Sequence, residues 1–292
     1  MPKPPAFLNP SSRNAEAARK ALAAAGFEIE PIPPDELASH FRDAVARGVP
    51  RMIVAGGDGT VAAAAAIAAR SSTELAVVPG GTLNHFAKDN GIPTDLGEAA
   101  QVAAHGTVKT VDLGYLCDRV FLNTSSIGMY VSFVRVRERL EKRLGYRLAS
   151  MLAAIRIFSA AKTFAVRLEI DGRERIYRTH LLFIAVGERE LQAPALGSRV
   201  ANGRRGLHVM VVRGRGRARL FAIALAAIAR GTRQIARTPE LDSFIVDRCS
   251  VDMRRSSTTV ALDGELHRMQ APLEYRIERD ALRLVVAPPG RD

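Results

Sequence analysis

Five residues, Gly56-Gly57-Asp58-Gly59-Thr60, combine what phosphate chemistry needs: unshielded backbone, an acid and a hydroxyl. Glycines let main-chain N–H groups approach a ligand without side chains in the way. Met52–Ala55 in front reads as a short buried strand. Val61–Arg70 behind, almost all alanine, predicts a helix whose positive end points at the same spot. The sum is a phosphate cradle with the Asp58 carboxylate inside it, which suits phosphate chemistry with a metal or a proton to move. A second such turn, Pro79-Gly80-Gly81-Thr82-Leu83-Asn84-His85-Phe86-Ala87, also follows a strand-like stretch and opens a helix. Thr82 is suited to cap that helix and donate to a phosphate, and Asn84 offers donor and acceptor to a nucleotide or a metal-bound water. Asn9-Pro10-Ser11-Ser12 is a third turn of this kind, with Ser11 or Ser12 as the expected N-cap.

Turns of this kind need a sheet that brings them side by side. The first hundred residues alternate strand and helix: strands at Pro5–Leu8, Phe27–Ile32, Arg51–Ala55 and Glu74–Val78, helices at Arg13–Ala25, Pro34–Arg47, Leu83–Asn90 and Leu96–Ala104. That alternation predicts a parallel sheet with helices on both faces, which binds ligands at the carboxyl ends of its strands. Near Val108 the pattern becomes mostly strand-like, at Val108–Leu116, Val120–Asn123, Thr163–Ile170, Arg175–Val186, Leu207–Val212, Ser243–Asp247, Ser250–Met253 and Thr258–Leu262. Asp171-Gly172 is a hairpin signal. Helical inserts are expected at Val134–Ala161 and Arg217–Ala229, and two last strands, Leu273–Ile277 and Ala281–Val286, with a turn at Glu278–Asp280. This half reads as antiparallel, a sandwich or a curved sheet.

The 292 residues allow one large domain or two modest ones, and 47% hydrophobic content supplies an ample core. No segment reaches the roughly 20 apolar residues of a membrane span, and no secretory leader is legible in the first residues. Cys117 and Cys249 have no metal-ligand spacing and are expected as free thiols in a reducing cytosol. The net charge is +12, almost all of it arginine. From Leu191 to Pro239 there are ten arginines and no acid, and a second basic stretch runs from Arg135 to Arg147. Such a surface attracts anionic lipid headgroups or nucleic acid, and is also what ordinary solvated arginines look like. Aromatics are 5% of the chain and do not interleave with the arginines, so nucleic acid is not expected. The apolar run in Arg219–Arg230 is too short to span a bilayer and reads as a core-packed or an interfacial helix.

GGDGT, then PGGTLNHFAKDNGIP, then LDGE at Leu262–Glu265 resemble the diacylglycerol kinase catalytic-domain family, which includes bacterial lipid kinases and the sphingosine and ceramide kinases. The resemblance extends over Phe121-Leu122-Asn123-Thr124-Ser125-Ser126-Ile127-Gly128 and the strands beyond. It implies an α/β nucleotide-binding domain over residues 1–112, to which a last strand at 278–292 returns, and an antiparallel β-sandwich lipid domain over 113–277. It implies ATP and Mg²⁺ as cofactors, a lipid substrate, and an enzyme working peripherally at the inner, cytoplasmic face of an anionic membrane. A homodimer is left open. Asn9, Pro10 and Ser11 would make the first ATP contact, Gly56, Gly57, Asp58, Gly59 and Thr60 would wrap the phosphates, and Gly81, Thr82 and Asn84 would join them. Asp58 would hold Mg²⁺. Asp263 or Glu265 would accept the proton of the lipid hydroxyl, a poor nucleophile until that proton has somewhere to go.

The chain also departs from the family. Ala62, Ala63 and Ala64 stand where an asparagine and an acid are common, Pro33-Pro34 where a nucleotide-contacting threonine is frequent, and Gly187 where an asparagine is usual. Arg204-Arg205-Gly206 replaces an acidic pair that holds a structural Mg²⁺ in many members, so that metal is expected to be absent or its charge replaced by a guanidinium. These departures keep open a non-catalytic lipid- or nucleotide-binding pseudokinase. An NAD kinase-like enzyme shares GGDGT and is the other alternative. His85 reads as a nucleotide contact or a plain polar helix residue, and Asp112 as a cleft, turn or capping residue.

Overall fold

The structure is a computed structural model and describes every residue except 1–3, 137–138, 141–144, 146–148, 150–151, 154–155, 157–162, 171, 192–195, 201, 214–240 and 289–292. The chain divides into two compact units: Met1–Leu113 with Arg119–Leu122 and Glu278–Asp292, and Gly114–Asp118 with Asn123–Ile277.

The first unit alternates β1 (Ala6–Leu8), α1 (Ala15–Ala24), β2 (Ile29–Pro31), α2 (Leu37–Ala46), β3 (Arg51–Gly56), α3 (Asp58–Ala68), β4 (Glu74–Pro79), α4 (His85–Asp89) and α5 (Leu96–His105). It continues through Leu113 in β5 (Thr107–Leu116) and through β6 (Arg119–Phe121). The strands run β2, β1, β3, β4 in parallel. The last residues of a C-terminal strand join beside β4, with Leu284 opposite Leu75. Strands β3 and β4 are buried along almost their whole length, because helices cover both faces. Leu8, Ile53, Ala76 and Val78 pack on one side with Ala18 and Leu22 of α1 and Ala99, Ala100 and Ala103 of α5. Polar side chains close the helix ends. Asp95 accepts the N–H of Glu98 at 2.9 Å, an N-cap for α5. Arg51 Nη1 donates to the carbonyls of Ala103 and Ala104 at the other end of that helix, while its Nε donates to Glu74. Arg51 thus ties the start of β3 to the C-terminus of α5, where carbonyls lack intrahelical partners.

The second unit is antiparallel. It contains the end of β5, then β7 (Thr124–Gly128), β8 (Phe164–Ile170), β9 (Arg173–Val186), β10 (Arg189–Leu191), β11 (Leu196–Arg199), β12 (Leu207–Arg213), β13 (Leu241–Val246), β14 (Arg248–Met253), β15 (Ser257–Leu262), β16 (Glu265–Gln270) and the first residues of β17 (Leu273–Val286). The order is β16, β15, β7, β9, β8, β14, β17, and β12 with β13 branches from the long β9. The hairpin between β8 and β9 sets Ile170 opposite Arg173, with Gly172 at φ +71°. Ser125 and Tyr275 share a buried hydrogen bond of 2.9 Å, and burial pushes the Tyr275 phenol pKa up. The expected pairing of a parallel α/β unit with an antiparallel strand-rich unit is what the chain forms.

Several local expectations are corrected. Leu273–Val286 is one continuous strand with no turn at Glu278–Asp280. Asp280 takes φ +54° there, and its N–H donates to the buried Asp112 carboxylate, so a polar triplet that reads as a turn is a kink stapled from β5. Helix α3 begins at Asp58, three residues before Val61, and α2 at Leu37, three after Pro34. The expected helix from Val134 starts by residue 129, and its later part falls partly outside the described residues. The Arg217–Ala229 helix, the apolar run in Arg219–Arg230, and most of the acid-free arginine stretch lie outside the described residues, as does Asp171.

Candidate functional site

The three turns meet at the carboxyl ends of β1, β3 and β4. Pairing of β3 with β4 sets Gly56 opposite Pro79, and Gly80 N–H donates to Gly56 carbonyl at 2.8 Å. Asn9 N–H donates to Ala55 carbonyl, and Asn14 N–H to Gly80 carbonyl. Two glycines are required by this closeness. A Cβ on Gly81 would lie 2.8 Å from Gly57 Cα, and one on Gly56 would lie 2.6 Å from Thr60 Cβ. Neither residue has a positive φ, so the glycines serve close approach and not an unusual turn.

The polar side chains fasten the turns to each other. Asn9 Nδ2 donates to Thr60 Oγ1 at 2.8 Å, and Asn9 Oδ1 accepts the N–H of Ser11 at 2.9 Å. Asp58 Oδ2 accepts the N–H of Asn84 at 3.0 Å. Asn84 sits in the left-handed region, φ +50°, and its side chain turns inward, with Oδ1 accepting from Gly81 N–H and Nδ2 donating to Gly81 carbonyl. So Asn84 uses its side chain to shape the turn, and the left-handed backbone that asparagine tolerates explains its place. Thr82 is exposed and caps nothing, because the N-cap of α4 is Asn84, without a side-chain cap bond. Neither Ser11 nor Ser12 caps α1, whose N-cap is Asn14, and Ser12 Oγ donates to Asn9 carbonyl. Gly57 is the N-cap of α3, so the N–H groups of Asp58, Gly59 and Thr60 start the helix with no intrahelical partner. Pro10, Ser11, Gly59 and His85 are exposed around them.

In the second unit Asp263 and Glu265 behave differently. Asp263 has φ +47°, and its Oδ1 accepts the N–H groups of Asn123 and Thr124 at 2.8 and 2.9 Å. Its own N–H donates to Thr124 carbonyl. It holds the β15–β16 turn on the start of β7. Glu265 is exposed, with Oε2 3.9 Å from Nε2 of His267. Asp263 is built into the backbone network, while Glu265 is displayed.

Mg²⁺ keeps most of its shell as water and phosphate oxygens and takes one or two carboxylates from protein. Asp58 fits that demand, since only its Oδ2 accepts a hydrogen bond among the described residues. No cluster of three or more His, Cys, Asp or Glu positioned for a metal occurs among them. The place in the second unit where the family resemblance implies a structural metal does not suit one. Glu188 Oε2 accepts Arg204 N–H at 2.8 Å and lies 3.8 Å from Arg204 Nε. Arg199 covers Gly187, so closely that a Cβ there would lie 2.4 Å from its Nε. The Glu188 carboxylate thus already has a donor and a guanidinium beside it, and a second guanidinium, of Arg199, fills the space over Gly187.

His208, buried as His180 also is, is a titratable group to which its sequence spacing gave no role. Its Nδ1 accepts Arg189 N–H at 3.0 Å, so the neutral ring carries its proton on Nε2 and donates to Ser243 Oγ at 2.6 Å. Burial brings its pKa down to about 4, with the Glu188 carboxylate opposing the fall and the Arg204 and Arg189 guanidiniums adding to it. Cys249 is likewise buried and its thiol pKa is pushed up to about 12; both cysteines are free.

Residues 6–116 match the family model described as the diacylglycerol kinase catalytic domain. A protein of Mycobacterium tuberculosis named "Diacylglycerol kinase" is 30% identical over 138 residues, 46% of this chain and 45% of that protein. A "Probable lipid kinase YegS-like" of Pseudomonas syringae pv. tomato is 33% identical over 150 residues, 50% of this chain and 47% of that protein. The chain therefore spans about half the length of these curated relatives. Across both units the fold resembles the crystal structure of a diacylglycerol kinase from Bacillus anthracis, with a TM-score of 0.74, 22% identity and coverage of 98% of this chain and 97% of that one. The likeness first read from the two glycine motifs thus holds in sequence for residues 6–116 and in fold for nearly the whole chain. Among the described residues, no helix is long and apolar enough to cross a membrane.

Proposed function

We propose that this chain is an ATP-dependent lipid kinase acting at the inner face of a membrane, with residues 1–112 and 278–292 as its nucleotide-binding domain and 113–277 as its lipid domain. The observation that carries the reading is the interlocked glycine turns at the N-terminus of α3, inside the segment that matches the catalytic-domain model. Backbone N–H groups of Asp58, Gly59 and Thr60, with the positive end of α3, would neutralise phosphate charge in a site that needs no reorganisation. Asn9 and Thr60 hold the first and second turns together, and Asp58 holds the third. Bound Mg²⁺ would sit on the second oxygen of Asp58 and supply further charge neutralisation to the phosphate oxygens. In transfer, the lipid hydroxyl oxygen bonds to the γ-phosphorus as the bond to the β–γ bridging oxygen breaks and ADP leaves. The hydroxyl proton passes to Glu265, the exposed carboxylate, while Asp263 positions the turn that presents it.

The test incubates purified protein with γ-labelled ATP, Mg²⁺ and mixed micelles of diacylglycerol, monoacylglycerol, ceramide or a sphingoid base. Label in one of these lipids, lost in Asp58→Ala, is the expected result. Nucleotide binding without transfer to any lipid would sink the kinase reading in favour of a non-catalytic binding protein, the alternative that Ala62–Ala64 favours. Label in NAD instead would move the chain to soluble dinucleotide phosphorylation.

A further inference from the structure

The face of the β15–β16 hairpin that points away from Glu265 gathers cations that nothing in the proposed phosphoryl transfer uses. Thr259 pairs with Arg268 and Ser257 with Gln270, so these four side chains project to one face, and Glu265 and His267 to the other. Arg268 Nη2 donates to Ser257 Oγ at 3.3 Å. Arg135, from the helical residues 129–136, reaches the same face, with Nη2 2.6 Å from Thr259 Oγ1. Arg254 and Arg255 are exposed on the turn that leads into Ser257, and Arg139, also helical, is exposed four residues beyond Arg135. None of these five arginines has a carboxylate partner among the described residues, although the same chain pairs Arg51 and Arg70 with glutamates.

Unpaired guanidiniums held on neutral hydroxyls are prepared to exchange those weak acceptors for anionic ones. A guanidinium presents a planar fork of donors that matches phosphate oxygens, and a serine or threonine hydroxyl freed from it becomes a further donor. Residues 254–270 contain no Phe, Tyr or Trp on which a base could stack, and His267 projects to the other face, which disfavours single-stranded nucleic acid. We propose that this face, centred on Arg135, Arg268, Ser257 and Thr259, docks on the phosphodiester headgroups of an anionic bilayer. The assignment deepens the membrane-surface part of the function proposed above, and rests on it.

The test measures co-sedimentation of the full chain, without nucleotide, on phosphatidylcholine vesicles with and without phosphatidylglycerol. Binding should require the anionic lipid and weaken with salt. Each of Arg135→Gln and Arg268→Gln should lower partitioning about five-fold, and the pair about 25-fold. Arg135→Lys should recover most of the Arg135→Gln loss. Arg42→Gln with Arg47→Gln removes two exposed charges, one from α2 and one from its C-cap, and should change little. Equal losses from the two double variants would show attraction by net charge alone and overturn the proposal. So would equal binding to both vesicle types, or arginine-dependent binding of RNA by a protein that ignores vesicles. Because no nucleotide is present, a protein that docks as described yet transfers no phosphate would support this assignment and count against the kinase reading alone.

Discussion

Each unit contains an aspartate in a glycine-containing turn, and the two do the same structural job to different ends. Asp58 uses one carboxylate oxygen to accept the N–H of Asn84, 26 residues away, and so locks one glycine turn onto another. Asp263 uses one oxygen to accept two N–H groups, from Asn123 and Thr124, and so locks a hairpin onto the strand β7. In the site proposed for the first unit the ligand-facing groups would then be main-chain N–H groups at the start of α3, fixed by close packing. In the roles proposed for the second they would be displayed side chains: Glu265 on one face of β16 and Arg268 on the other. A site made of backbone tolerates few substitutions but needs no particular side chain beyond glycine. A site made of displayed side chains would separate stability from chemistry, because Asp263 holds the turn while Glu265 is the residue proposed to react.

That separation is best tested first in the second unit, where the largest effect is expected. Glu265→Gln should lower lipid phosphorylation by about 100- to 10,000-fold, the usual range for a lost general base, while the melting temperature stays the same. Asp263→Ala should instead lower stability by about 3 kcal/mol, since two hydrogen bonds to a charged acceptor go and alanine disfavours a positive φ. Urea unfolding of both variants checks the pair; a full activity loss in Asp263→Ala with unaltered unfolding would reverse the two roles.

Acid is expected to act on the second unit through His208. Above the unfolded value of 6.5 neither state binds the proton. Between 6.5 and about 4 the unfolded chain takes it and the folded chain does not, so stability falls by up to about 3 kcal/mol and levels off below. His208→Gln should flatten that part of the stability profile measured from pH 7 to 4.

The first unit should respond to close packing. Gly81→Ala forces a Cβ to 2.8 Å from Gly57 Cα, at a cost of about 1–3 kcal/mol, and should weaken ATP binding measured by calorimetry. Thr60→Val, which removes the acceptor for Asn9, should cost about 1 kcal/mol and leave binding measurable. If Gly81→Ala binds ATP as well as the parent, the backbone-built cradle is the wrong description of the first unit.

Much of the first unit is legible in the order of its residues. Continuous apolar runs in β3 and β4, glycines after them and an alanine-rich helix are local patterns, and strand–helix alternation leaves a parallel sheet as the arrangement that buries both faces. Asn84 and Thr82 were less legible. A residue with donors and acceptors beside a phosphate turn reads as a ligand contact, yet Asn84 spends its side chain on Gly81, and Thr82 caps nothing. The polar triplet at Glu278–Asp280 read as a turn for a similar reason: local polarity was visible, but the Asp112 carboxylate that staples Asp280 lies 168 residues away in the chain.

What the sequence by itself determined is the class of chemistry and the class of each unit, because both rest on residue types at short spacing. Glycines, an acid and a hydroxyl between a strand and a helix predict an anion site from local pattern alone. What only the tertiary structure decided is which partners each of these side chains meets. The partners of Asp58, Asn9 and Asp263 lie 26, 51 and about 140 residues away, and which atoms meet depends on strand register. Alternation along β16 turns Arg268 away from Glu265, and the register with β15 is what sets Arg268 opposite Thr259.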